Sequence, residues 1–169
     1  MEIIDELLDD GALDPKKLFD ENEFSTLIVN REGFSKKQNG TADLVQALLS
    51  KKNTRQENEE IFSALKTANA QKLLVDTLQS AKKTADKITL TAACWESGLD
   101  FSPYYWVFVE LACSDDFTLA LEALTVVEHC EGPFEETKLK EALTIAQHTP
   151  SRHTTLIGDL ISFIKSHTI

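Results

Sequence analysis

The chain has 169 residues and a mass of 18.9 kDa, with 42% apolar and 27% charged residues. These fractions are typical of a folded globular protein and exclude a disordered chain or a fibre. The 28 Asp and Glu residues against 17 Lys and Arg residues give a net charge of −11, which repels phosphate backbones and argues against nucleic acid as a partner.

Helix signals recur along the chain. Asp14 followed by Pro15 is an N-cap with proline at the first helical position, and Thr41 is predicted to cap the helix that follows it. Gly132 and Pro133 mark a sharp helix end. One helix is therefore predicted after Asp14, and eight more over residues 42–49, 54–65, 70–78, 84–95, 104–112, 116–130, 135–148 and 151–165.

About nine helices joined by short loops predict an all-α fold. Only residues 26–29 have the composition of a strand, and that run is too short to decide. Because short loops make successive helices pack antiparallel, the predicted fold class is an α-α superhelix of about four stacked antiparallel hairpins. A compact helical bundle is the alternative.

Internal echoes in the sequence favour the stacked arrangement. Residues 122–129 read EALTVVEH and residues 141–148 read EALTIAQH, which is an offset of one helix and its loop. Residues 90–98 are echoed by residues 124–132 through a shared Leu-Thr pair and a shared glycine, at an offset of 34. That offset corresponds to one helical hairpin, and fixed offsets of this kind are typical of repeat architectures.

Two helices in the middle of the chain are apolar almost all round, within residues 103–112 and 118–127. Such helices are buried between neighbours, as expected for the middle members of a stack. With the hairpin spacing and the helix stops Trp95-Glu96-Ser97-Gly98 and Glu131-Gly132-Pro133, the sequence resembles the HEAT and armadillo-like families of stacked helical hairpins.

The resemblance covers residues 54–169 and implies an extended outer surface suited to binding a peptide or protein. Residues 1–53 show no repeat, and we predict that they form a helical N-terminal cap over the open end of the array. The whole chain, 1–169, is then one helical domain.

The charge is distributed unevenly along the chain. Residues 88–137 contain 10 acidic residues, no Lys or Arg, and 8 of the 13 aromatic residues. Many of these acids lie near helix starts, including Asp100, Asp116 and Glu135, where they offset the helix dipole without any ligand. The alternative interpretation is a surface for a basic protein or peptide, since aromatic side chains supply contact area and acids attract cations.

We predict that this surface is the binding site of a non-catalytic interaction scaffold. The predicted contact residues lie around the end of one helix and the start of the next, and they are Trp95, Glu96, Asp100, Phe101, Tyr104 and Tyr105. The hypothesis requires that some of the aromatic residues be exposed beside the acids. The alternative function is a compact bundle that binds a small molecule or acts as a regulatory subunit of an enzyme.

We expect no catalytic residues, no cofactor and no metal site. The three cysteines, Cys94, Cys113 and Cys130, form no CxxC pair and lie near helix C-termini, where the dipole raises the pKa of a thiol. His129 and His148 occupy last turns, where capping explains them. Nucleophile elbows and phosphate-binding loops are missing from the sequence.

We also expect a protein without a secretory signal, because acidic residues interrupt the apolar positions that follow Met1. No window approaches the ~18 consecutive apolar residues of a membrane span, so we expect no membrane partner. Unpaired cysteines and the lack of an export signal together predict a cytoplasmic location with reduced thiols.

Overall fold

The computed structural model describes residues 40–50, 52–150 and 152–168, and all regular structure in this part of the chain is helical. It contains eight α-helices and one short 3₁₀ turn over Ser102–Tyr104. The helices are α1 (Thr41–Leu48), α2 (Arg55–Thr67), α3 (Gln71–Ser80), α4 (Thr84–Glu96), α5 (Tyr105–Ala112), α6 (Phe117–Glu128), α7 (Glu136–His148) and α8 (Thr154–Ser166). None of these helices is long and apolar enough to cross a membrane.

Side-chain caps begin two of these helices. The Thr54 hydroxyl accepts a hydrogen bond from the backbone N–H of Glu57, and the Glu57 carboxylate accepts one from the backbone N–H of Thr54, which completes a capping box. Asp116 caps α6 by accepting from the backbone N–H of Leu119 at 2.9 Å. The prediction that Thr41 caps α1 is wrong, since Gly40 occupies the N-cap and Thr41 is the first helical residue.

The predicted helix at the start of the chain lies outside the described residues, as do Asp14, Pro15, the strand-like run 26–29 and most of the predicted N-terminal cap. The remaining eight predicted helices are all present, with boundaries shifted by a few residues at most. Ser151, the predicted start of the last helix, is also outside the described residues, and α8 begins at Thr154 with His153 in the N-cap position.

The helices pair into four hairpins that stack in chain order. Each hairpin joins neighbours in sequence, namely α1 with α2, α3 with α4, α5 with α6 and α7 with α8. Among the second helices α4 contacts α6 and α6 contacts α8, and among the first helices α1 contacts α3 and α5 contacts α7. The predicted stack of about four antiparallel hairpins is therefore the observed architecture, and it has two layers.

Helix α1 lies at the C-terminal end of the predicted N-terminal cap, residues 1–53. It contacts α2, α3 and α4 and pairs with α2 in a hairpin. The compact unit that contains all eight helices begins at Gly40, directly before α1. The physical reason is burial: Val45 and Leu48 are apolar residues one turn apart on α1, and both are enclosed.

The third hairpin, α5–α6, forms the centre of the core. On α5, Val107, Phe108 and Val109 are all buried, as are Leu119 and Ala120 on α6, so neither helix has a broad polar face. Consecutive buried residues on one helix need neighbours on more than one side. Helix α5 contacts α6, α7 and α8, and α6 contacts α4, α5 and α8.

The two repeated sequence patterns relate different pairs of helices. The offset of 34 relates α4 to α6, which are equivalent second helices, and the shared glycines Gly98 and Gly132 both have positive φ, +62° and +80°. Asn69, which follows α2, has φ +49° and is therefore a third left-handed residue after a second-layer helix. The offset of 19 relates α6 to α7, which are consecutive helices in different layers.

We predict opposite effects for two glycine-to-alanine substitutions. Gly98→Ala lowers the free energy of unfolding by about 1–2 kcal/mol, because a Cβ is strained at φ +62°. Gly158→Ala raises it by about 0.5–1 kcal/mol, because Gly158 lies inside α8 at an ordinary helical φ and an added Cβ meets nothing within 4 Å. Urea denaturation of both variants checks the pair, and equal effects would contradict the assigned backbone geometry.

Candidate functional site

Trp95, near the end of α4, is held against α6 by a hydrogen bond. Its indole Nε1–H donates to Glu122 Oε2 at 2.7 Å, and its ring lies 6.1 Å from the His129 ring, centroid to centroid. The indole is half-buried. This bond joins the second helices of two successive hairpins, so it fixes both the orientation of the indole and the position of the Glu122 carboxylate.

Glu96 lies next in sequence to Trp95 and shares its surroundings with Glu122. Partial burial raises the pKa of the Glu96 carboxyl, and the negative charge of Glu122 raises it further. The charge of Glu122 therefore acts on Glu96 beside the Trp95 indole, and among the described residues neither carboxylate forms an ion pair. We call the surface formed by Trp95, Glu96, Glu122 and Glu128 the acidic surface.

Asp100 has a structural role in the loop after α4. Its carboxylate Oδ1 accepts hydrogen bonds from the backbone N–H and the hydroxyl of Ser102, and the Ser102 oxygen accepts one from the backbone N–H of Gly132 at 2.8 Å. Ser102 is buried. This network ties the loop before α5 to the loop after α6, so Asp100 holds two loops together besides contributing charge.

Phe101 and Tyr105 are core residues, which contradicts their prediction as contact residues. Phe101 is 1% exposed and packs edge-on against Phe108 at 5.5 Å, and Tyr105 is 3% exposed and packs edge-on against Phe134 at 5.1 Å. Burial, with the nearby charges of Glu135 and Glu141, raises the pKa of the Tyr105 phenol to about 12. Neither side chain offers surface to a partner, because the hairpin packing needs both rings.

The other predicted aromatic contact, Tyr104, is half-buried at the end of the 3₁₀ turn, just before α5. The surface also presents large apolar side chains that were not among the predicted contacts, and they are Trp106, Phe117, Leu121 and Ile145. The sequence does carry a signal for two of them. Glu110 lies four residues after Trp106 and Glu128 lies seven after Leu121, which places each apolar residue on the face that a carboxylate marks as exposed.

The acids of residues 88–137 remain largely uncompensated. Each ion pair between described residues joins two residues of the same helix. Of the acids in residues 88–137, Glu136 forms such a pair, with Lys140. Asp100 and Asp116 cap turns, as the helix-start interpretation predicts. Glu96 and Glu128 have neither role, so their charges face solvent at the acidic surface.

The cysteines and histidines have structural surroundings. Burial raises the pKa of the thiols of Cys94, Cys113 and Cys130, that of Cys130 to about 12, so all three are protonated at neutral pH. His129 and His148 place Nδ1 within 2.8 Å of the carbonyl oxygen four residues earlier, at the ends of α6 and α7. Within the described ranges, no group of three His, Cys, Asp or Glu side chains is placed to hold a metal ion.

Comparison of the chain with protein-family models, with curated proteins and with solved structures found no match.

We predict that Glu96→Gln stabilises the protein at neutral pH. The pKa of Glu96 is higher in the folded protein than in the unfolded chain, so the folded state binds the proton more tightly and stability falls as the pH rises through the folded pKa. The amide cannot ionise, which removes this loss. Thermal unfolding should give a higher Tm than wild type at about pH 7 and a smaller difference at about pH 4.

Glu128→Gln is the matched control, because Glu128 is exposed on the same surface and has no hydrogen bond or ion pair among the described residues. It should shift Tm by less than Glu96→Gln. If Glu96→Gln raised Tm by the same amount at both pH values, the gain would not come from ionisation of Glu96, and Glu96 and Glu122 would not repel each other.

Proposed function

We propose that this protein is a non-catalytic, HEAT or armadillo-like interaction module that captures a basic protein or peptide on the acidic surface. The observation that carries the proposal is the juxtaposition of Glu96 and Glu122 beside the half-buried indole of Trp95, with no cation paired to either carboxylate among the described residues. Folding alone gains nothing from this repulsion.

A cation from a partner would relieve the repulsion that the fold leaves in place. A guanidinium or ammonium group between Glu96 and Glu122 would make charge-assisted hydrogen bonds to both carboxylates. The neighbouring indole adds a cation–π contact, which is worth about 0.5–1 kcal/mol at an exposed site. Because the Nε1–H of Trp95 is already held by Glu122, the ring is fixed before a partner arrives.

The proposed contact residues differ from the six in the sequence prediction. Trp95 and Glu96 remain in the acidic surface, Tyr104 is half-buried outside it, and Phe101 and Tyr105 belong to the core. Asp100 contributes charge only, since its carboxylate is used by Ser102. Glu122 is added because α6 lies against α4 and brings its carboxylate to Trp95, and Glu128 is added because it adjoins His129, whose ring lies 6.1 Å from that of Trp95.

The alternative function, a bundle that encloses a small molecule, requires helices arranged around a hollow. The helices α1–α8 instead pair with their sequence neighbours and stack in two layers. That arrangement favours a partner on the outside of the array.

We predict that reversing two charges on the acidic surface weakens binding of a basic peptide roughly tenfold, since each reversed carboxylate replaces an attraction with a repulsion. The variant is Glu96→Lys with Glu128→Lys, and the probe is a fluorescent oligolysine peptide followed by anisotropy. Both side chains are exposed and neither caps a helix, so the fold is retained. Binding by the wild type should weaken as salt is added.

The control is Glu59→Lys with Glu60→Lys on α2, which changes the net charge equally at exposed positions outside the acidic surface and removes the exposed Arg55–Glu59 ion pair. This control should lose far less affinity than the variant of the acidic surface. Equal losses would mean that the peptide senses net charge alone, and no binding by the wild type would refute the proposed function.

A further inference from the structure

Helix α6 carries an exposed apolar stripe next to the acidic surface. Phe117 and Leu121 lie four residues apart on one side of the helix, with 53% and 41% of their surfaces exposed. We call these two residues the apolar stripe. Glu128 follows Leu121 after two helical turns and falls on the same side, so the stripe runs into a carboxylate of the acidic surface.

At its N-terminal end, the apolar stripe packs against a residue outside α6. The Phe117 ring packs edge-on against the His153 ring at 5.3 Å, and His153 Nε2 lies 2.9 Å from the backbone carbonyl oxygen of Asp115. These contacts hold the start of α6 against the residue that precedes α8. Phe117 nevertheless keeps about half of its surface open to solvent, which the packing of the described helices does not require.

The charged residues of α6 and of the turn before it are all acidic. Asp115 and Asp116 precede the stripe, and Glu122 and Glu128 follow it on α6, whereas Arg152 adjoins His153, which packs against Phe117. A second copy of this chain has the same net charge of −11 and is repelled. The complementary occupant is therefore a segment that has both apolar and basic side chains.

We infer that the apolar stripe and the acidic surface together bind a basic amphipathic helix of a partner protein, with apolar side chains on Phe117 and Leu121 and a Lys or Arg near Glu128. This inference rests on the proposed function and names the chemistry of the partner. Along α6 the two apolar residues are separated by about 6 Å, and Leu121 and Glu128 by about 10 Å. A helical partner matches these separations with two apolar residues four positions apart and a basic residue seven positions beyond.

Two model peptides of equal positive charge test the inference. One is a Leu–Lys peptide that forms an amphipathic helix, and the other is oligolysine. Because the first can also bury leucine side chains on Phe117 and Leu121, wild-type protein should bind it about tenfold more tightly than oligolysine. Replacing the apolar stripe, by Phe117→Gln with Leu121→Gln, should remove this difference and leave the affinity for oligolysine unchanged.

Ile145→Gln is the matched control, because Ile145 is exposed to a similar extent, 38%, but lies on α7 in the other layer. It should preserve the preference for the Leu–Lys peptide. Leu121→Gln alone serves as a second variant, and thermal unfolding shows whether each variant is folded, as expected for exposed positions.

The outcomes separate this inference from the proposed function. If oligolysine binds at the acidic surface but the preference for the Leu–Lys peptide survives loss of the stripe, the inference fails and the proposed function stands. If neither peptide binds, both fail. If sedimentation shows that the wild type self-associates and that Leu121→Gln abolishes this, the stripe is a contact between copies of the chain and the inference is overturned.

Discussion

The rest of the structure depends on one constraint: the hairpin α5–α6 cannot bury its own apolar residues without neighbouring helices. Val107, Phe108 and Val109 are consecutive and all buried, so α5 needs neighbours on more than one side. It finds them in α6, α7 and α8, and α6 is in turn covered by α4 and α8. Once α6 is enclosed in this way, a single outward strip remains on it. That strip carries Phe117, Leu121 and Glu128.

The same packing concentrates negative charge on one surface. In the described helices, Lys and Arg pair with acids inside α2, α3 and α7, while α4, α5 and α6 have few bases to offer. Stacking α6 on α4 then brings Glu122 to Trp95 and Glu96. The repulsion that acts on Glu96 does not stabilise the fold, whereas a surface with one sign of charge attracts cations. The proposed function rests on the juxtaposition of Glu96 and Glu122 beside Trp95, and this distribution of charge supports it.

More of the fold than of the candidate site could be predicted from the sequence. Helix boundaries depend on local signals such as the capping box of Thr54 and the left-handed glycine Gly98, which a linear pattern reveals. The stack could be inferred because α5 and α6 lack a polar face. Exposure of single aromatic residues could not, since Phe101, Tyr105 and Trp106 lie within six residues, yet the first two are buried and Trp106 is exposed. The bond between Trp95 and Glu122 joins residues 27 positions apart, and no local pattern specifies it.

Native-state hydrogen exchange tests the central claim, which is that α5–α6 is the shared core of the stack. Amides in regions with the most burial open only by global unfolding, whereas less covered helices open locally. Exchange should be slowest in α5 and α6 and faster in α1 and α8, the first and last of the described helices. Exchange in α5 and α6 that is as fast as in α1 and α8 would contradict the central claim.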